Sequence, residues 1–146
     1  MIQYVEGDIF DSRAQCLVNP VNCVGVMGKG LALQFKHKFP EMFTYYKKIC
    51  KQNNLYIGTV AFYKHKKMSH VVCLFPTKLD WRHPSTLDYI DTSLIAFSER
   101  IMEYNIARVA FPKVGCGEGG LDFEYHVRPL LERRLSSLDI DIEVYV

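Results

Sequence analysis

Apolar residues in this chain fall into short runs that alternate with longer stretches of helical period. Ile2 to Glu6 reads as a strand, and Gly7-Asp8-Ile9 turns out of it. Cys16-Leu17-Val18-Asn19 is an apolar run ending at Pro20, which predicts a buried strand. Leu31, Leu33, Phe35 and Phe39 support a helix from about Gly30 to Phe39. Pro40 opens a second helix, carried by Phe43, Tyr46 and Cys50 and stopped at Asn53-Asn54. Val60 to Tyr63 predicts a strand, Lys64 to Lys67 a basic turn, and Val71 to Phe75 a further strand closed by Pro76.

The second half repeats the alternation. Ser85-Thr86-Leu87-Asp88 fits a capping box. Leu87, Ile90, Leu94, Phe97, Ile101 and Tyr104 then step by three and four, giving a helix one apolar face. Arg108 to Phe111 is a strand closed by Pro112. Asp122 is placed to cap a helix reaching Leu135. Pro129 removes a hydrogen bond if interior, so the first turn should be distorted and regular helix should begin near Pro129. Ile140 to Val146 alternates acidic and apolar residues and predicts a terminal strand. Alternating strands and helices imply an α/β protein, a three-layer α/β/α domain with a central mixed sheet. With 146 residues and no repeat or linker, a single domain over 1–146 is expected.

Composition narrows the function. Hydrophobic residues make up 49% and aromatics 13%, enough for a full core and against disorder. The net charge of +2 permits an anionic ligand without demanding nucleic acid. The five cysteines are odd in number, widely spaced and free of any Cys-x-x-Cys, which argues against zinc and against a disulfide framework. The histidines form no ligand spacing, and His65, His70 and His83 are expected at the surface. No metal and no cofactor are expected. The first residues lack a signal-peptide pattern and no apolar stretch reaches membrane-spanning length, so a cytoplasmic protein without membrane contact is expected.

Two glycine loops carry the chemistry. The first is Asn22-Cys23-Val24-Gly25-Val26-Met27-Gly28-Lys29-Gly30 and the second Gly115-Cys116-Gly117-Glu118-Gly119-Gly120. Each follows a predicted strand and leads into a predicted helix, an arrangement that aims backbone N–H groups at phosphate. The first loop lacks the hydroxyl of a nucleoside-triphosphatase phosphate loop after Gly28-Lys29. The second matches Gly-x-Gly-x-x-Gly, but only 26 residues follow Gly120, too few for the rest of a dinucleotide-binding fold. Two such loops suit a diphosphate.

Lys78, in Phe75-Pro76-Thr77-Lys78, lies just past a buried strand, where α/β ligand crevices form. It reads equally as a chemical group or as a solvated surface lysine. Trp81 reads as a loop anchor rather than a stacking platform. Asp8 at a strand end reads as a base-recognising carboxylate or as a turn cap. Asn22 offers a donor and an acceptor to a sugar hydroxyl. Cys116 reads as a small filler between glycines, not a nucleophile. The basic run at Lys64 to Lys67 reads as a solvated turn that could touch a nucleic acid backbone.

Gly7-Asp8-Ile9, Asn19-Pro20-Val21-Asn22, Gly28-Lys29-Gly30-Leu31-Ala32 and Gly115-Cys116-Gly117 occur in an order that resembles a macro domain, a family that binds ADP-ribose. The first loop, Phe75-Pro76-Thr77-Lys78 and Gly119-Gly120-Leu121-Asp122 are most similar to its DarG branch. That branch removes ADP-ribose from DNA bases modified by the DarT toxin and is a near relative of the terminal ADP-ribose protein glycohydrolase. The resemblance implies an ADP-ribosyl glycohydrolase that acts as a monomer on ADP-ribosylated DNA or protein, with a possible DarT-like toxin partner. It implies Asp8 and the Ile9 backbone at the adenine, Asn22 at the distal ribose, and Gly28, Lys29 and Gly30 along ribose and phosphate. It further implies Gly115, Cys116, Gly117, Glu118, Gly119 and Gly120 around the diphosphate, Lys78 and Asn22 as the catalytic residues, and Tyr145 as an aromatic against adenine. The glycohydrolase relative pairs its lysine with an aspartate where this chain has Gly119, a gap shared with the DarG branch. Lys78 is therefore read as a cation or as a nucleophile. An inert ADP-ribose reader, an ADP-ribose-1″-phosphate phosphatase and an ester hydrolase for ADP-ribosyl-glutamate are the competing functions.

Overall fold

The structure, a computed structural model, describes residues 1–146. Six strands form one sheet: β1 (Ile2–Val5), β2 (Cys16–Val21), β3 (Ala61–Tyr63), β4 (Val71–Pro76), β5 (Arg108–Phe111) and β6 (Asp141–Tyr145). Their order is β1-β6-β5-β2-β4-β3. All neighbours are parallel except β3, which runs antiparallel to β4 and makes the sheet mixed. Four helices cover it: α1 (Gly30–Lys38), α2 (Pro40–Lys51), α3 (Leu87–Ile101) and α4 (Arg128–Leu135).

Successive strand residues face opposite sides, so a sheet covered on both faces needs strands apolar throughout. This is the reason the central runs show no polar alternation. Leu17, Val21, Val72 and Leu74 pack toward α1 and α2, against Phe35, Met42 and Tyr46. Cys16, Val18, Cys73, Phe75, Val109 and Phe111 pack toward α3 and α4, against Ile90, Leu94, Phe97 and Leu131. The expected three-layer α/β/α architecture with a mixed sheet is the one observed.

Local differences have local causes. β2 does not stop before Pro20; it runs through it to Val21, paired with β4 as far as Val21↔Pro76. Its pairing with β5 covers only Cys16↔Val109 and Leu17↔Ala110, so that flank of β2 is open at Pro20. The missing N–H there breaks no ladder on that side. The cap of α3 is Thr86, whose hydroxyl accepts from the Tyr89 N–H at 3.2 Å, so the helix starts one residue later than a cap at Ser85 would place it. Tyr104 lies beyond the end of α3 and packs on Phe62 with ring centroids 4.4 Å apart. Around Pro129 the chain does as expected. Residues Phe123–Val127 form a wide π-turn capped by the Asp122 carboxylate, and regular helix begins at Arg128.

Candidate functional site

β2 and β5 separate after two paired residues, and the space between their C-terminal ends opens into a cleft of about 1170 Å³. A crevice at the carboxyl ends of parallel strands is where α/β folds bind ligands. Both glycine loops enter it, one after β2 and the other after β5, and Asp8, at the turn after β1, stands at the same edge.

Side-chain bonds hold the first loop in shape. The Asn22 Oδ1 accepts from the backbone N–H of Val24 at 3.1 Å and of Val26 at 3.4 Å, and its Nδ2 donates to the Val26 carbonyl at 2.7 Å. The buried Tyr46 hydroxyl, from α2, lies 2.7 Å from that Oδ1 and 2.9 Å from the Asn22 carbonyl. One proton of the Asn22 amide stays free of these bonds. The loop delivers the chain to α1, whose N-terminus has no side-chain cap. Its first N–H groups, around Gly30, Leu31 and Ala32, therefore face the cleft without an intrahelical partner. Gly28 and Lys29 line the same wall.

The second loop is shaped by contacts that leave no room for a side chain at Gly115 or Gly119. Gly115 and Gly119 are buried in it, and Gly115, Cys116, Gly117, Glu118 and Gly119 all line the cleft. Gly120 does not line it; its N–H donates to the Gly117 carbonyl at 3.1 Å and closes the turn. Burial pushes the Cys116 thiol up to about 11, so it is protonated at neutral pH and unsuited to nucleophilic attack.

The segment from Thr77 to Thr86 ties the two loops together. The Cys23 N–H donates to the Leu79 carbonyl at 3.2 Å, and the Ser85 N–H donates to the Gly119 carbonyl at 3.0 Å. Within this bridge the Arg82 guanidinium forms a two-pronged pair with Asp80, at 2.9 and 2.7 Å, and holds the Asp80 carboxyl well below its ordinary range. Lys78 lines the cleft between the loops, half-buried. Every ion pair in the protein is made by arginine or histidine, so Lys78 has no carboxylate partner.

At the opposite end, Asp8 is exposed and its carboxylate accepts from the Phe10 N–H at 3.0 Å. Ile9 is buried beneath it, and Tyr145 borders the same end beside Gly7. The structure thus gathers Asp8, Ile9, Asn22, Gly28, Lys29, Gly30, Lys78 and residues 115–119 around one cavity, and leaves out Gly120.

Three features escaped the sequence. Trp81 is not a buried anchor: it is 51% exposed and lines the cleft, with the Arg82 guanidinium 5.5 Å from its ring. Tyr46 looked like one more apolar helix position, and its hydroxyl has no local sequence signal. Ser85 looked like a helix cap, yet it is buried and bound to the second loop.

The family model for the macro domain matches residues 18–128. The chain is 46% identical over 148 residues to a DNA ADP-ribosyl glycohydrolase of Mycobacterium tuberculosis, covering 99% of this chain and 42% of that protein. It thus spans about two fifths of the length of that curated relative. The solved macrodomain of Mycobacterium tuberculosis DarG superposes with a TM-score of 0.92, covering 99% of this chain and 97% of that one. Thermosipho africanus DarTG in complex with ADP-ribose superposes with a TM-score of 0.93 at 36% identity, covering 99% of this chain and 41% of that one. The human ADP-ribose glycohydrolase OARD1 is 30% identical over 152 residues, covering 99% of this chain and 90% of that protein. By its motifs, its sheet and these matches, the chain belongs to the macro domain family.

Proposed function

We propose that this protein is an ADP-ribosyl glycohydrolase that releases ADP-ribose from a modified DNA base. The observation that carries the reading is Lys78: a half-buried ammonium with no ion pair, set between two backbone loops suited to a diphosphate. The match to a relative named DNA ADP-ribosyl glycohydrolase supports the substrate, and the likeness to a protein solved with ADP-ribose supports the ligand. A DarT-like transferase is the matching source of the modified base.

In this reading the diphosphate rests on the N–H groups of the second loop and of the α1 N-terminus. Adenine lies toward Asp8, Ile9 and Tyr145, and the distal ribose reaches Lys78 and the free amide proton of Asn22. Binding energy from the distant diphosphate and adenine orients the reacting carbon. The glycosidic C–N bond breaks with its electron pair kept by the base nitrogen, through a transition state of oxocarbenium character. Water then adds its oxygen to the sugar carbon, and its released proton balances the charge on the base. Lys78 acts as a cation that stabilises the departing base or the ribose oxygen, because no carboxylate lies paired with it to relay protons. Trp81, exposed in the same cleft three residues on, offers the base an aromatic face.

The test compares wild type with Lys78→Ala on thymidine-ADP-ribosylated single-stranded DNA, glutamate-ADP-ribosylated protein and ADP-ribose 1″-phosphate. Removing one charge-stabilising donor should lower turnover on DNA by about a hundredfold or more, while calorimetry finds ADP-ribose bound as in wild type. Normal turnover by Lys78→Ala removes the lysine from the mechanism. Release from protein or phosphate substrates, with none from DNA, assigns the site to one of those reactions instead.

A further inference from the structure

The charges of this chain are strongly segregated. Between Lys29 and His70 there are nine lysines and a single acid, Glu41. The rest of the chain holds the other nine basic residues against 15 acids. A net charge of +2 therefore conceals one basic region set against an acidic remainder.

The fold keeps the basic residues together. Lys36 from α1 and Lys47 from α2 approach the same ring, Phe43, at 4.4 and 5.6 Å from its centre. Lys47, Lys48 and Lys51 are exposed on α2, Lys51 standing four residues after Lys47 and three after Lys48 and so neighbouring both. The Lys64 to Lys67 turn is anchored beside α2 by His65, whose Nε2 lies 3.3 Å from Glu41, so the region's one carboxylate is engaged. No lysine of the region makes an ion pair. On the far side of the sheet the pattern inverts. Arg128 pairs with Glu124 and Glu132, and Arg134 with Asp91.

This face adjoins the mouth of the cleft. A methyl group at Gly25 would sit 3.7 Å from the Lys47 Cα, so the first loop lies directly on α2. The next residues back along that loop bond the bridge, through Cys23 to Leu79, immediately after Lys78. Along this short path Val24 and Leu79 are 48% and 50% exposed, and Trp81 follows. A surface of unpaired ammonium groups beginning beside an exposed aromatic is the pattern that follows a nucleic acid strand. The cations take the phosphates and the ring takes a base.

We infer that the exposed face of α2, with Lys47, Lys48 and Lys51, carries the backbone of single-stranded DNA flanking the base held at Lys78. This extends the proposed glycohydrolase reading by assigning a path to the strand beyond the modified nucleotide. Cleavage of the base bond needs only the cleft, whereas the preference for a polymer arises on α2.

Two measurements separate this inference from the reading it builds on. The first is anisotropy of an unmodified fluorescent single-stranded 20-mer across a salt series, with wild type, the triple variant Lys47→Gln/Lys48→Gln/Lys51→Gln, and Arg133→Gln on the opposite side. Each phosphate contact contributes about 0.7 to the salt slope on single strands, so the triple variant should lose roughly 2 from it and bind about tenfold more weakly at low salt. Arg133→Gln should match wild type. The second is turnover of an ADP-ribosylated 20-mer against an ADP-ribosylated mononucleotide. The triple variant should raise KM on the 20-mer alone and leave kcat on both. Wild type that fails to bind the unmodified strand overturns the inference, as does a triple variant with an unchanged slope. Binding to anionic vesicles in place of DNA also overturns it. Failure of wild type to hydrolyse either substrate, with strand binding intact, overturns the hydrolase reading and leaves the α2 track standing.

Discussion

The two glycine loops solve one problem by opposite means. In the proposed reading both hold backbone N–H groups in a fixed concave arrangement before any ligand arrives, since ordering a loop on binding would cost affinity. The first loop is fixed by added contacts: Asn22 bonds its own turn and Tyr46 bonds Asn22 from α2. The second is fixed by close approach. A methyl group on Gly119 would overlap the Gly115 carbonyl oxygen and lie 2.5 Å from the Ser85 Oγ. One on Gly115, where φ is +77°, would lie 2.8 Å from the Ile90 Cδ1. The first loop should therefore be sensitive to lost polar groups, and the second to gained atoms.

The largest effect is expected from Gly119. Gly119 lines the same cleft as Lys78, which has no carboxylate partner, so Gly119→Asp is the obvious attempt to install one. The geometry predicts the opposite of a gain. The obstacle is backbone, not the end of a flexible side chain, so the loop must open to admit a Cβ. Overpacking of about 1–3 kcal/mol concentrated in the loop proposed to cradle the diphosphate should weaken ADP-ribose binding by roughly 5- to 150-fold. Gly119→Ala should do nearly as much, and Gly119→Ala/Ser85→Ala should not rescue it, because the Gly115 carbonyl remains. Calorimetry with ADP-ribose measures this. Wild-type affinity in Gly119→Ala would show that the second loop adapts and that the contrast with the first is unfounded.

Next comes Tyr46→Phe, which adds no atoms and should leave the second loop untouched. It removes the hydroxyl shared by the Asn22 carbonyl and Oδ1; the Oδ1 keeps the Val24 and Val26 N–H groups, but the carbonyl loses that donor in a buried network, a loss of about 1–3 kcal/mol in stability. Thermal unfolding should register it, and ADP-ribose affinity should fall by less than the loss in Gly119→Ala. A double-mutant cycle with Asn22→Ala should show coupling, since both groups act on the same turn. Additive effects would mean that Tyr46 supports α2 alone.

The contrast also explains what was legible in the chain. Strands, helices and the glycine positions follow from period and composition, and these place the cleft. The irregular turn before Arg128 was legible because Pro129 forbids regular helix there. The supports were not, because they depend on residues distant in sequence. Tyr46 meets Asn22 across 24 positions, and Ser85 meets Gly119 across the cleft bridge. Trp81 reads as an anchor in the sequence because large aromatics are usually buried, and only the fold places it exposed at the mouth, on the bridge. Pro20 seemed to end a strand because β5's departure from β2, the event that opens the cleft, leaves no local trace.

The bridge between the loops should be less sensitive than either. Asp80→Asn removes the clasp on Arg82 and frees the segment carrying Lys78 and Trp81. Turnover should drop by only a few-fold, with ADP-ribose affinity unchanged, as is usual for exposed ion pairs. The pH dependence follows from sign. The Asp80 carboxyl is depressed in the folded protein by the Arg82 guanidinium, so the clasp is complete above the unfolded value of about 3.9 and is lost only as pH falls through the lower folded one. Between pH 5 and 8 the wild type to Asp80→Asn turnover ratio should therefore be flat. A ratio that changes across that range would show that the clasp is not what Asp80 contributes.

The smallest effect is expected within the second loop itself, at Gly117, and it is the sharpest check on the comparison. If every glycine there served close approach, all would resist a side chain. A Cβ on Gly117 meets nothing within 4 Å, and its φ is not among the positive values. Gly117→Ala keeps the backbone N–H and adds a methyl group to open space, so unliganded stability should change by no more than about 0.5 kcal/mol. Affinity for ADP-ribose then reports on the ligand alone. A change below about twofold means that the loop meets the diphosphate through N–H groups at a distance that tolerates a methyl. A loss as large as that of Gly119→Ala, with stability unchanged, means that the phosphate itself fills the space above Gly117. In that case glycine is required there by the ligand, whereas Gly119 is required by the fold.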